Sequence, residues 1–152
     1  MAMLDELRKA VRDVPDFPKA GILFKDITPI LADGRLLKGA VDLFAERHEA
    51  NRIDKVAAID ARGFIFGGAL ADRLDAGFAP IRKKGKLPWQ TVGASYELEY
   101  GSAELEVHED AFEEGDRVLL IDDLLATGGT AEASAGLIEK LGAELVEIDF
   151  LI

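Results

Sequence analysis

Residues Val118–Thr130 read VLLIDDLLATGGT, and the fold turns on what this stretch can be. Four apolar residues in a row have the character of a buried strand, which delivers Asp122 and Asp123 at its carboxyl end. A Thr127-Gly128-Gly129-Thr130 turn then leads into a helix. Glycines let successive backbone N–H groups converge on one point without a Cβ in the way, and the helix start adds its own N–H groups and positive dipole end. Thr127 and Thr130 add hydroxyls, completing a phosphate cradle. The two acids suit a different partner, the vicinal hydroxyls of a ribose. A Gly-Gly turn alone would read as a plain strand-to-helix bend with solvated acids; the whole stretch reads as a sugar-phosphate site. It lacks the Gly-Lys-Ser/Thr ending of a P-loop and the spaced glycines of a dinucleotide fingerprint.

Working outward, the pattern alternates strands with helices. Lys55–Asp60 and Phe78–Arg82 are short strands, with Phe64–Leu74 a small-residue helix between them. Gly129–Leu141 is a helix ended by Gly142, and Ala143–Ile152 is a last strand. Such alternation implies an α/β fold with a mainly parallel sheet flanked by helices. Tyr96–Tyr100 and the stretch through Leu105 and Val107 alternate in polarity around Gly101-Ser102, a hairpin signal that adds an antiparallel element near the sheet edge. Upstream, Met3–Val14 spaces Leu4, Leu7 and Val11 on one helical face, and Pro15–Pro29 reads as an ordered apolar loop. Asp33 is placed to cap a helix running to about His48, with Leu37, Val41 and Phe44 inward. Neither His48 nor His108 suggests a metal site, and Trp89 falls in the polar segment Lys83–Gly93, expected to be mobile.

A chain of 152 residues fits one domain, able to bury about 68–70% of its unfolded surface. Residues 1–32 read as an N-terminal helix and hood, and 33–152 as the core. There is no cysteine, so disulfides and thiolate metal sites are excluded, and a reducing cytoplasm is expected. No run approaches the roughly 20 apolar residues of a membrane span. Net charge is −11, from 29 acids and 18 bases, which opposes nucleic acid and anionic membranes as partners. It opposes a polyanionic substrate too, unless cations are concentrated at its site. They are: Arg82-Lys83-Lys84-Gly85-Lys86 places four bases in five consecutive positions. Ala61-Arg62-Gly63 adds a turn whose N–H groups and guanidinium suit a second phosphate group. In isolation, either segment is equally well a solvated surface feature.

The DDLLATGGT stretch resembles the phosphoribosyl pyrophosphate motif of the type I phosphoribosyltransferases, and most of all that of the adenine phosphoribosyltransferases. The resemblance runs from about Asp16 to Ile152 through five segments in family order. It implies that fold, with a flexible β-hairpin loop and an N-terminal base-binding hood. It assigns Asp122 and Asp123 to the ribose hydroxyls, and Ala126, Thr127, Gly128, Gly129 and Thr130 to the 5-phosphate. Asp60, Ala61, Arg62 and Gly63 fall to the pyrophosphate, where the family often has a cis peptide, together with Arg82, Lys83 and Lys86; Arg82 would act across a dimer interface. Leu23 and Lys25 would meet the base through backbone groups, Phe24 by stacking, and Leu124 by packing against it. Glu99 matches an acid that handles the purine proton, although Glu97, Glu99, Glu104 and Glu106 equally fit the polar phase of alternating strands.

The implied reaction joins adenine to phosphoribosyl pyrophosphate, giving AMP and pyrophosphate in purine salvage. Its catalytic residues would be Arg62, Glu99, Asp122 and Asp123. Mg2+ is expected to arrive with the substrate, reached by Asp122 or Asp123 through water, and the enzyme is expected to be a cytoplasmic homodimer. Two alternatives stand beside this: another purine as the base, or a non-catalytic regulator that senses phosphoribosyl pyrophosphate. Ala20 departs from the proline common in the family. The last strand is still apolar at Ile152, where the family continues, so the C-terminal end is expected to be incomplete.

Overall fold

A computed structural model describes residues 2–98 and 101–152. The chain divides into two compact units, Met1–Glu46 and Arg47–Ile152.

In the first unit, α1 (Ala2–Ala10) is followed by β1 (Arg12–Pro15), β2 (Leu23–Asp26), α2 (Thr28–Ala32) and most of α3 (Gly34–His48). The helix expected through Val14 stops at Ala10. Val14 precedes a proline, which disfavours helical backbone there, and β1 instead pairs antiparallel with β2, Arg12 opposite Asp26 and Pro15 opposite Leu23. The inward face of α1 also differs from the Leu4–Leu7–Val11 stripe. Leu7 is buried, Leu4 is 37% exposed, and Met3 packs so closely on Gly39 that a Cβ there would lie 2.3 Å from its Sδ. Asp33 does cap α3, its Oδ1 accepting the N–H groups of Arg35 (2.9 Å) and Leu36 (3.1 Å). Phe44 is buried in α3 as expected, together with Leu36, Gly39, Ala40, Ala45 and His48, while Leu37 and Val41 are only half-buried.

The second unit is a six-stranded sheet in the order β5-β6-β4-β3-β7-β8. Its strands are β3 (Lys55–Ile59), β4 (Gly77–Lys83), β5 (Thr91–Leu98), β6 (Gly101–His108), β7 (Arg117–Asp122) and β8 (Glu144–Phe150), with helices α4 (Gly63–Arg73) and α5 (Gly129–Lys140) between them. β4, β3, β7 and β8 are parallel, and β6 and β5 extend the sheet antiparallel from β4. This is the expected mixed α/β sheet. Gly101 and Ser102 stand in the hairpin ladder, opposite Leu98 and Glu97, rather than in its connection.

Strand side chains alternate between faces, and each face receives one helix. Val118 and Leu120 cluster with Ala57, Ile59 and the α5 residues Leu137 and Ile138. On the other face α4 approaches so closely that a Cβ on Gly67 would lie 2.6 Å from Ala58 Cβ and 2.8 Å from the Phe78 ring. Only glycine permits that approach. Gly136 in α5 has open space around it. Gly67→Ala should therefore cost ~1–3 kcal/mol through overpacking, whereas Gly136→Ala should gain ~0.5–1 kcal/mol through helix propensity; urea unfolding of the two variants checks the opposite signs.

Candidate active site

The parallel pairing of β3 with β7 brings the carboxyl ends of both strands to one place. There α4 begins at Gly63, where a side chain would be crowded: a Cβ would stand 3.0 Å from Asp122 Oδ1 and 3.3 Å from the Ile121 carbonyl. A cleft of about 410 Å³ opens over these ends. Asp60, Ala61 and Arg62 line it from the β3 side, Asp122, Asp123, Leu124 and Thr130 from the β7 side, and Lys83 and Tyr96 from the hairpin side. The Asp60–Ala61 peptide is cis, as the resemblance implied.

The two acids differ in state. Asp123 is buried, and its Oδ2 lies 2.6 Å from Arg62 Nε. Asp122 accepts the Asp123 backbone N–H on Oδ1 at 2.8 Å. Burial nevertheless pushes the Asp122 carboxyl up to about 7, with the Asp123 carboxyl adding to the rise and the Asp123 N–H and Arg62 opposing it. The cleft thus holds one acid paired with arginine and a second, Asp122, that readily gains or loses a proton near neutral pH.

The Thr127–Thr130 turn has the geometry that its glycines suggest. Gly128 takes φ +86°, a left-handed conformation that L side chains rarely adopt, and α5 starts immediately after it with no side-chain bond from the N-cap residue, the Gly129 N–H reaching only the Thr127 hydroxyl at a long 3.5 Å. Thr130 lines the main cleft, while Thr127 and Gly129 line an adjoining hollow of about 420 Å³. Tyr96 borders both. Ala126 is exposed.

Of the basic segment, Lys83 lines the cleft and Lys86 is exposed. Arg82 is held within its own chain: its Nε donates to Asp60 Oδ2 at 2.9 Å and its Nη1 to the Lys86 carbonyl at 3.2 Å. The segment expected to be mobile is extensively hydrogen-bonded to β6. Lys84 N–H donates to the Glu104 carbonyl (3.1 Å), Gly85 N–H to Glu106 Oε1 (2.8 Å) and Trp89 N–H to His108 Nε2 (3.3 Å). Glu99 lies outside the described residues. Leu23, Phe24 and Lys25 form β2 of the first unit, where the Phe24 ring meets Phe17 edge-on at 5.1 Å and Lys25 Nζ donates to Asp13 Oδ1 at 2.5 Å.

Residues 26–152 match the model of the phosphoribosyl transferase domain family. The chain belongs to the phosphoribosyltransferase family. The adenine phosphoribosyltransferase of Nitrobacter hamburgensis is 53% identical over 152 residues, 100% of this chain and 85% of that protein. The crystal structure of adenine phosphoribosyltransferase from Rhodothermus marinus superposes with a TM-score of 0.94 at 54% identity, over 98% of this chain and 85% of that one. The Saccharomyces cerevisiae enzyme, complexed with D-2,5-dideoxy-2,5-imino-altritol 1,6-bisphosphate and adenine, gives 0.95 at 40% identity, over 98% and 87%. The fold is therefore that of the type I phosphoribosyltransferases.

Some residues have structural roles that their sequence context did not suggest. Tyr96 was legible only as the apolar phase of a strand, yet it joins the two hollows. Glu106, read as a solvated strand acid, takes both the Gly85 N–H and the Thr91 hydroxyl (2.7 Å), and these bonds hold its carboxyl below the usual range. His48 is fully buried, with Nε2 2.7 Å from Asp149 Oδ2. Its Nδ1 has no hydrogen-bond partner among the described residues. Glu147 and Asp149 lie close enough to His48 to share an ion, but the Arg47 guanidinium already occupies Glu147. The cluster ties the end of α3 to edge strand β8.

Asp122 gives a stability test. Between its unfolded value near 4 and its folded value of about 7, the native chain keeps a proton that the unfolded chain releases, so stability falls as pH rises through this window. Asp122→Asn removes that loss. Its Tm should exceed that of the unmodified chain by about 2–4 °C at pH 8, the size of a ~1 kcal/mol effect, and the gap should close towards pH 4; a gap independent of pH would contradict the assignment.

Proposed function

We propose that the cleft transfers the 5-phosphoribosyl group of phosphoribosyl pyrophosphate to adenine, giving AMP and pyrophosphate. The observation that carries this is the neighbourhood of three chemically distinct features: paired acids at a strand end and the Arg62 turn paired with one of them in a single cleft, and beside it, reached at Thr130 and across Tyr96, the start of α5 behind a left-handed glycine.

In this reading Asp122 and Asp123 accept the ribose hydroxyls, and Ala126–Thr130 donate backbone N–H groups and hydroxyls to the 5-phosphate. Ala61, Arg62, Gly63, Lys83 and Lys86 bind pyrophosphate, the leaving group. As the sugar–pyrophosphate bond breaks, positive charge develops on the ring, close to the two acids, and negative charge on the departing group, close to Arg62. The adenine nitrogen then attacks, losing its proton to Glu99 or water. Leu23, Phe24, Lys25 and Leu124 are assigned to the base by resemblance; for Leu124, its position on the cleft wall supports this. The carboxylates of Asp60, Asp122 and Asp123 and the Thr130 hydroxyl on the cleft wall are hard oxygen ligands, which suit Mg2+, and a cation would favour the ionised form of Asp122. Bound with the substrate and reached by Asp122 or Asp123 through water, it would supply charge neutralisation to the leaving group.

The chain is further proposed to work as a single domain in a homodimer. Ile65 (42%) and Phe78 (38%) are exposed, and Gly68 and Ala69 lie exposed on the same side of α4 as Ile65, an apolar surface of the kind partners cover. No helix among the described residues is long and apolar enough to cross a membrane, consistent with a cytoplasmic enzyme.

The decisive assay is AMP formation from adenine and phosphoribosyl pyrophosphate with and without Mg2+, with hypoxanthine and guanine as competitors. Turnover of adenine is expected; its absence alongside turnover of another purine would reassign the base, and no turnover at all would favour a sensing role. Asp123→Asn should lower kcat by about 10²–10³, the cost of one preorganised electrostatic group, with unchanged circular dichroism. Arg62→Ala should weaken pyrophosphate and phosphoribosyl pyrophosphate more than AMP, and equal losses would contradict its role.

A further inference from the structure

The turn assigned to pyrophosphate begins with an acid, and a carboxylate repels pyrophosphate. The Asp60 backbone is no better placed to bind an anion, because its N–H donates to the Ile81 carbonyl at 3.0 Å. That bond carries the β3–β4 ladder one residue beyond its last pair, Ile59 opposite Ile81. In a parallel ladder, residues in register project to the same face. The next pair is Asp60 and Arg82, so the two side chains leave their strands side by side.

They meet. Arg82 Nε donates to Asp60 Oδ2 at 2.9 Å, and Arg82 Nη1 donates to the Lys86 carbonyl at 3.2 Å. The guanidinium is planar and rigid, so two contacts on different nitrogens fix its orientation. One contact anchors it to the end of β3; the other spans the turn that carries Lys83 and Lys86. Lys83 and Asp60 both line the cleft.

We infer that Asp60 is a positioning residue for pyrophosphate, acting through Arg82 to hold that guanidinium and the basic turn beside the cleft. The inference rests on the pyrophosphate reading above and deepens it. The Asp60 and Arg82 side chains are 27% and 34% exposed, and a partly exposed ion pair contributes little to stability. Losing it should therefore register in binding and not in melting.

A double-mutant cycle tests this on pyrophosphate affinity by calorimetry and on steady-state kinetics, using the full chain. Asp60→Ala should weaken pyrophosphate and raise KM for phosphoribosyl pyrophosphate about tenfold, the loss expected of one misplaced charge-assisted contact. It should leave kcat within about threefold and Tm unchanged, and Asp60→Glu should recover part of the affinity. In an Arg82→Ala background, Asp60→Ala should add no further loss. Multiplying losses in the double variant would overturn the inference. So would restoration of Asp60→Ala by raised Mg2+, which would make Asp60 a metal ligand. Either result leaves the transferase reading intact, whereas failure of the unmodified chain to bind pyrophosphate would overturn that reading and this inference with it.

Discussion

β3 and β7 lie side by side and run in the same direction, so the turn leaving one strand meets the turn leaving the other. That arrangement brings a chain segment around Arg62 against acids sixty residues later in the sequence. Gly63 eases that approach, since a Cβ on it would lie 3.0 Å from Asp122 Oδ1 and 3.3 Å from the Ile121 carbonyl, tighter than side chains usually pack. Gly67, one turn further on, lets the same helix sit down on β3 and β4. The two glycines thus set the depth of the cleft floor. From there each later element has a defined place: α5 starts beyond Asp123 behind the left-handed Gly128, and β4 and the hairpin carry Lys83 and Tyr96 to the opposite wall.

A chain of net charge −11 has to assemble a site for an anion of high charge. It does so by pairing locally. Arg62 rests on Asp123 and Arg82 on Asp60, so each arginine assigned to pyrophosphate is oriented by an acid of its own chain. Glu104 and Glu106 treat the Lys84-Gly85 turn in the same way. The acids that make the chain electronegative overall are in part the supports on which its cations are mounted. Asp122 has no such partner strong enough to offset burial, and its carboxyl rises to about 7 as a result.

Much of this was legible in the sequence, and for a physical reason. β3 and β7 are buried runs followed by glycine-bearing turns that lead into α4 and α5, where local composition and tertiary role coincide. The first unit was less legible, because pairing with β2 overrides the helical periodicity of Met3–Val14. On α3 Phe44 was read correctly, but Leu37 and Val41 were taken for the buried face because several of its true members, Gly39, Ala40, Ala45 and His48, do not look like anchors. Glu106 and Tyr96 could not be read from polarity alone: their roles come from cross-strand register, which places Glu106 opposite Gly93 and within reach of Gly85 and Thr91. The pairing of Asp60 with Arg82 is likewise a property of strand register rather than of any motif.

The central claim is that the strand-end acids and the turn at the start of α5 hold the two halves of one ribose 5-phosphate. Amide chemical shifts during titration with ribose 5-phosphate, compared with ribose alone, test it most directly. The account predicts saturable shifts of the Thr127, Gly128, Gly129 and Thr130 amides together with Asp122 and Asp123, and none of comparable size at the turn with ribose lacking the phosphate. Shifts confined to other surfaces, or a turn indifferent to the phosphate, would contradict it.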